Sequence, residues 1–130
     1  MKISNLEELN TPCLILDKTL LEKNCSLVRK KCVELKTNLR PHVKTPKSIE
    51  VAKIALDNEV GPITVSTLDE AEFFATSGFK DILYAVCIIP KKLERLHFIQ
   101  KKYNCSIYCK YFIAVFMSVV GILHEKFSQI

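Results

Sequence analysis

The stretch Arg40-Pro41-His42-Val43-Lys44-Thr45-Pro46-Lys47 gathers basic and nucleophilic side chains as no other part of the chain does. Read as a strand over about Asn38 to Lys44, it alternates: Arg40, His42 and Lys44 point one way, Leu39 and Val43 the other. The apolar pair can pack under helices, which sends three potential cations into the interior of a sheet or barrel. Burying them is costly unless an anion, such as a phosphate or carboxylate ligand, joins them. The chemistry that fits is attack of a lysine amine on a carbonyl. The amine must first shed its proton, which neighbouring cations and partial burial both ease. Lys44 at the C-terminal end of its strand is also where barrel enzymes place catalytic groups. The alternative is a polar strand end with Lys44 and Lys47 solvated, and the local pattern alone favours it. His42 in isolation is more often structural than catalytic, and Pro41 removes a ladder donor from what should be an internal strand.

The surrounding sequence reads as alternating strands and helices. Cys13 to Leu16, after Pro12, is an apolar run suited to a leading strand. Asp17 can cap the helix that follows, where Leu21, Cys25, Val28, Cys32 and Leu35 share a face and Lys23, Arg29, Lys30 and Lys31 face water. Ser48 caps a second helix carrying Ile49, Ala52, Ala55 and Leu56. Gly61-Pro62 then opens a strand, Ile63 to Ser66. Asp69 starts a short helix with Ala71, Phe74 and Ala75 apolar, and Gly78 ends it. Asp81 to Val86 suits a strand buried on both faces. Pro90 sits in the first turn of a further helix whose stripe is Leu93, Leu96 and Ile99. Short βα units with Gly/Pro punctuation build a parallel sheet, and the pattern leaves a doubly wound sheet and a barrel both open.

Composition narrows the function classes. The chain has 130 residues, 48% hydrophobic and 25% charged, which is ordinary for one soluble domain. Its net charge of +5 is spread along solvated faces without interleaved stacking aromatics, so nucleic acid is not the expected partner. The six cysteines form no Cys-x-x-Cys pair, and Cys105 and Cys109 lack a second ligand pair at zinc spacing. Cys13, Cys25, Cys32 and Cys87 read as small hydrophobes. The polar, acidic lead from Met1 to Leu9 is not a secretory signal, so unpaired thiols in a cytoplasmic setting are expected.

Ordered blocks carry a resemblance. Leu9-Asn10-Thr11-Pro12 before an apolar run and Asp17, then Arg-Pro-His-Val-Lys-Thr at 40–45, then Gly61 to Glu72, then Gly78 to Val86 follow one another at family-like spacing over roughly Leu6 to Asn104. Together they resemble the opening of the pyridoxal-phosphate enzymes of the D-threonine aldolase and D-serine dehydratase family. The resemblance implies an α/β fold, an incomplete (β/α)8 TIM barrel of alanine-racemase N-terminal type with about three to four βα units. It makes Lys44 the catalytic, cofactor-bearing Schiff-base lysine, with His42 beside it in the cofactor pocket. Pyridoxal 5'-phosphate would serve as electron sink for a D-amino acid, through loss of water or retro-aldol cleavage. Thr64, Ser66 and Tyr84 become candidate lumen residues by strand alternation. Many members carry a second histidine where this chain has Pro46.

Residues 1–104 are thus read as a partial barrel domain and 105–130 as a divergent hydrophobic tail. The apolar run from Tyr111 to Leu123 is shorter than the roughly 20 residues that span a bilayer, so a helix or strand packed on the sheet is expected there rather than an anchor. The metal ligands of full-length relatives have no counterpart here, and no metal site is assigned. The expectation is the N-terminal part of a D-amino-acid lyase, truncated and inactive alone, with a homodimer compatible. A non-catalytic pyridoxal-phosphate-binding protein and a partner-dependent fragment are the alternatives.

Overall fold

A computed structural model describes residues 7 and 9–111, apart from the side chains of 110 and 111. Its elements are α1 (Lys18–Glu34), α2 (Ile49–Ala55), β1 (Ile63–Val65), α3 (Leu68–Thr76), β2 (Asp81–Ile88), a 3-10 turn (Pro90–Lys92), α4 (Leu93–Tyr103) and β3 (Ser106–Tyr111). The three strands form one sheet in the order β1-β2-β3, both pairs parallel. Helices return the chain between them: α3 connects β1 to β2, and α4 connects β2 to β3. The fold class is therefore α/β, and the small parallel sheet is that of a partial barrel.

Local chemistry accounts for the helix ends. Asp17 Oδ1 accepts the Leu20 amide at 2.9 Å, and Ser48 Oγ accepts that of Val51 at 3.3 Å. At the end of α3, Gly78 takes φ +93, which a side chain would resist. Its amide donates to the Ala75 carbonyl and the Phe79 amide donates to that of Phe74, closing a Schellman motif. The apolar contact that accompanies this motif is Phe79 against Phe74, rings edge to face at 5.3 Å. Both rings are fully buried and lie at the centre of the core.

That core occupies one face of the sheet. Ile63, Val65, Ile82, Tyr84 and Ile107 pack with Val43 against Ala52 of α2, Leu68, Ala71, Phe74 and Ala75 of α3, and Leu96 and Ile99 of α4. The other face is not covered by any described residue to the same degree. On it Thr64 is buried, Leu83 is half-buried and Tyr108 is exposed. So β2 is buried on one face rather than two, because helices line just one side of the described sheet.

Three further expectations change. Cys13 to Leu16 has no ladder partner among the described residues, and Leu14, Ile15 and Leu16 are exposed, so the expected leading strand is not part of the described sheet. Helix α1 buries no residue completely. Its inner stripe is Leu21, Cys25, Arg29 and Cys32, while Val28 and Leu35 are exposed. Arg29 replaces Val28 because its guanidinium reaches the Ile54 carbonyl at 2.7 Å and Asp57 at 2.9 Å, binding the carbonyl-rich end of α2. Leu35 is the C-cap of α1 and so falls off the face. Residues 106–111, assigned on sequence to the tail, supply the third parallel strand. The rest of the apolar run to Leu123 lies outside the described residues.

Candidate active site

The Arg40–Lys47 stretch joins the sheet through a single parallel bridge, His42 opposite Thr64. The Thr64 amide donates to the Pro41 carbonyl and the Val43 amide donates to the Thr64 carbonyl, both at 2.9 Å. Pro41 has no N–H to extend this ladder backwards, which is why a bridge forms where a full strand was expected. Val43 turns to the helix side and is buried, as alternation predicts. His42, in register with Thr64, Leu83 and Tyr108, takes the open face. Tyr84 pairs with Val65 on the opposite, helix-covered face and is buried there. Of the three candidate lumen residues, Thr64 and Ser66 therefore belong to the open face and Tyr84 does not.

The three basic residues do not share an anion. Arg40 lies at the amino-terminal end of the sheet, where its guanidinium grips Asp81, the first residue of β2, at 2.7 and 2.9 Å. The same group reaches the Ile63 carbonyl at 3.3 Å. A bidentate carboxylate already supplies the charge that a ligand was expected to bring. Lys44 lies beyond His42 at the opposite, carboxyl-terminal end, about 13 Å from residue 40 if the chain between them is extended. Its side chain is exposed and has neither an ion pair nor a hydrogen bond among the described residues. Lys44 is thus an available amine, but not through the crowding of cations inferred from alternation.

Around Lys44 the backbone is held by side chains. The Lys44 amide donates to His42 Nδ1 at 3.3 Å, and His42 Nε2 lies 3.3 Å from Ser66 Oγ. With Nδ1 accepting, the proton of the neutral ring belongs on Nε2, which then donates to the Ser66 hydroxyl. Ser66 sits one residue past β1, and its own amide donates to Glu70 Oε2 at 2.8 Å. Glu70 Oε1 pairs with Lys47 Nζ at 3.3 Å. Burial would push the Glu70 carboxyl upward, but the Ser66 amide and Lys47 outweigh it and hold the group below its ordinary value. Lys47, at φ +42, closes the turn that starts at Lys44, its amide donating to the Val43 carbonyl.

Glu70 and Lys47 are members of this cluster that the sequence reading did not assign. A signal was available: Thr67-Leu68-Asp69-Glu70 has the spacing of a capping box. Thr67 Oγ1 accepts the Glu70 amide at 3.0 Å, and the Glu70 carboxylate turns back toward the residue before the cap.

The cysteines play no visible part here. All six are unpaired. Cys13 and Cys87 are exposed rather than packed as small hydrophobes, whereas Cys105 is the buried one and burial pushes its thiol up. Among the described residues, no group of three His, Cys, Asp or Glu side chains could hold a metal ion, and no helix is long and apolar enough to cross a membrane.

This geometry has counterparts in known proteins. No family model matches the sequence. The chain is 39% identical over 95 residues to D-serine dehydratase of Dictyostelium discoideum and 41% identical over 87 residues to D-threo-3-hydroxyaspartate dehydratase of Delftia sp. (strain HT23). These alignments take in 69% and 67% of this chain. Over this region the chain is a homologue of D-amino-acid dehydratases and of a 3-hydroxy-D-aspartate aldolase of Paracoccus denitrificans, to which it is 37% identical over 92 residues. It spans about a quarter of these relatives' length, 24% and 23%. The solved Delftia enzyme superposes on 88% of this chain with a TM-score of 0.76 at 33% identity, using 32% of its own length. An alanine-racemase-like protein from Idiomarina loihiensis superposes over the same share with a TM-score of 0.72 at 34% identity. The fold is accordingly alanine-racemase-like, as the sequence blocks implied.

Proposed function

We propose that this chain carries the cofactor-bearing segment of a pyridoxal-phosphate-dependent D-amino-acid lyase, with Lys44 as the lysine that holds the cofactor covalently. The carrying observation is Lys44 itself: an accessible amine, unpaired among the described residues, at the carboxyl-terminal end of a parallel sheet, the end at which barrel enzymes keep their chemistry. The donor set fits an aldehyde cofactor. Lys44 offers the amine, His42 fixes the Lys44 amide from one side, and the Ser66 hydroxyl fixes the ring of His42 in turn. When bound, pyridoxal phosphate supplies an electron sink for the α-carbon of an amino acid.

The relatives act on D-serine and D-threo-3-hydroxyaspartate. A D-3-hydroxy amino acid is the substrate class we assign by that kinship, acted on in the cytoplasm by an enzyme that removes water from it or cleaves it by a retro-aldol step. Catalysis on such a substrate needs the open sheet face closed against water. Among the described residues that face carries a buried Thr64, a half-buried Leu83 and an exposed Tyr108, and on this partial cover we infer that residues 7–111 capture the cofactor without turning over substrate.

The test is cofactor capture. Purified protein with pyridoxal phosphate is expected to gain the absorbance of a lysine-bound cofactor, and borohydride should fix the label on Lys44. Equal labelling of the wild type and of Lys44→Ala would show that Lys44 is not the cofactor lysine. Turnover of D-serine by the 130-residue chain would overturn the inactive reading while leaving Lys44 in place.

A further inference from the structure

Lys44 and Lys47 flank one turn, and both side chains are exposed. Either amine could reach an aldehyde delivered to this end of the sheet, so something must favour one of them. Their surroundings differ in one respect. Lys47 Nζ sits 3.3 Å from Glu70 Oε1, whereas Lys44 has no acidic partner among the described residues. An amine held against a fixed carboxylate is less free to approach a carbonyl than one that meets only solvent.

The carboxylate is itself firmly placed. The Glu70 side chain is 8% exposed, against 63% for Lys47. Its second oxygen takes the Ser66 amide at 2.8 Å, and its own amide is held by the Thr67 cap. Glu70 therefore cannot swing out with Lys47 into solvent, and the lysine must come to it. The positive φ of Lys47 and the bond from its amide to the Val43 carbonyl turn the backbone at the end of the loop. The other oxygen of Glu70 leads by way of Ser66 and His42 to the Lys44 amide. One buried carboxylate thus restrains both ends of the reactive turn.

We propose that Glu70 is a positioning residue that selects the reactive lysine, sequestering Lys47 in an ion pair and leaving Lys44 as the amine that meets the cofactor. This inference rests on the reading of Lys44 as the cofactor-bearing residue. It adds the group that makes the choice.

The experiment is limited labelling of the intact 130-residue chain with pyridoxal phosphate and borohydride, with the modified lysines located by tandem mass spectrometry. In the wild type, Lys44 should carry most of the label. In Glu70→Gln, the Lys44:Lys47 ratio should fall by about threefold, the size expected for a half-exposed ion pair. Label on Lys53, half-buried in α2, reports whether the variant has opened generally. A second arm needs no variant. Raising salt from 50 mM to 1 M shortens the screening length to about 3 Å and should move the wild-type ratio the same way. A ratio that responds to neither salt nor Glu70→Gln, with Lys53 still protected, overturns the proposal. If Glu70→Gln opens the fold, the salt arm decides alone. Failure of the wild type to label Lys44 at all would instead refute the cofactor reading beneath it, so the two failures are distinct.

Discussion

Replacing Arg40 by methionine and Asp81 by alanine, singly and together, asks whether the cation next to the reactive segment serves a ligand or the fold. The guanidinium meets Asp81 at 2.7 and 2.9 Å and also reaches the Ile63 carbonyl at 3.3 Å. Charge-assisted hydrogen bonds contribute about 1.5–3 kcal/mol in sheltered sites. Here the side chains are 32% and 44% exposed, so solvent screening discounts the pair toward ~1 kcal/mol. Asp81→Ala should cost about that much. Arg40→Met should cost about 0.5–1 kcal/mol more, because it also leaves the Ile63 carbonyl without its donor. The double variant should cost less than the two singles added, by about 1 kcal/mol. Urea unfolding of the four proteins at low and high salt gives the cycle, and each kcal/mol corresponds to a melting shift of about 4–8 °C in a domain near this size. Additivity within about 0.5 kcal/mol would refute the claim that the fork acts as a unit. A ligand role predicts something else: Arg40→Met would abolish cofactor capture at Lys44 and leave the melting temperature unchanged.

Two further outcomes follow from the core and from the acidic groups. Phe79→Ala removes a fully buried ring that closes the Schellman contact on Phe74, and should cost about 3–5 kcal/mol, a large share of the ~5–15 kcal/mol of an ordinary domain. A urea midpoint close to wild type would mean that this ring pair is not the centre of the core. Acidification tests Glu70 and Glu72, both held below the ordinary carboxylate value in the folded chain. For Glu70 burial opposes the shift and the Ser66 amide and Lys47 overcome it, whereas for Glu72 the Tyr103 hydroxyl leads. Carboxyls depressed by folding add stability above the unfolded value of about 4.3, and that stability is lost as pH falls through their folded values. Urea midpoints should therefore drop below about pH 4.5, less steeply in Glu70→Gln. A midpoint that rises on acidification would reverse the sign assigned to these groups.

How much of this was legible in sequence depended on the range of the interaction involved. Asp17, Ser48 and Gly78 were placed correctly because a cap or an αL turn is settled by the few residues around it. The stripes Ala71-Phe74-Ala75 and Leu96-Ile99 were found because helical period and burial coincide in them. The relationship around Lys44 was legible because several blocks occur in order, which no single motif could have established. The failures were all matters of partnership. Cys13 to Leu16 is apolar enough for a strand, yet a strand exists only where another edge pairs with it. Asp81 to Val86 looked buried on both faces because its composition cannot report which faces the described helices cover.

Lys44 shows the same division. Sequence determined that this lysine, at this place in these blocks, is the candidate amine. Only the tertiary structure decided its electrostatic surroundings, because ion pairs join residues far apart along the chain: Arg40 goes to Asp81 at one end of the sheet, and Lys47 goes to Glu70 at the other. The alternation of a strand says which way a side chain points, but it carries no information about which charge waits there. Two carboxylates brought in by β2 and α3 take the neighbouring cations, and Lys44 remains unpaired among the described residues.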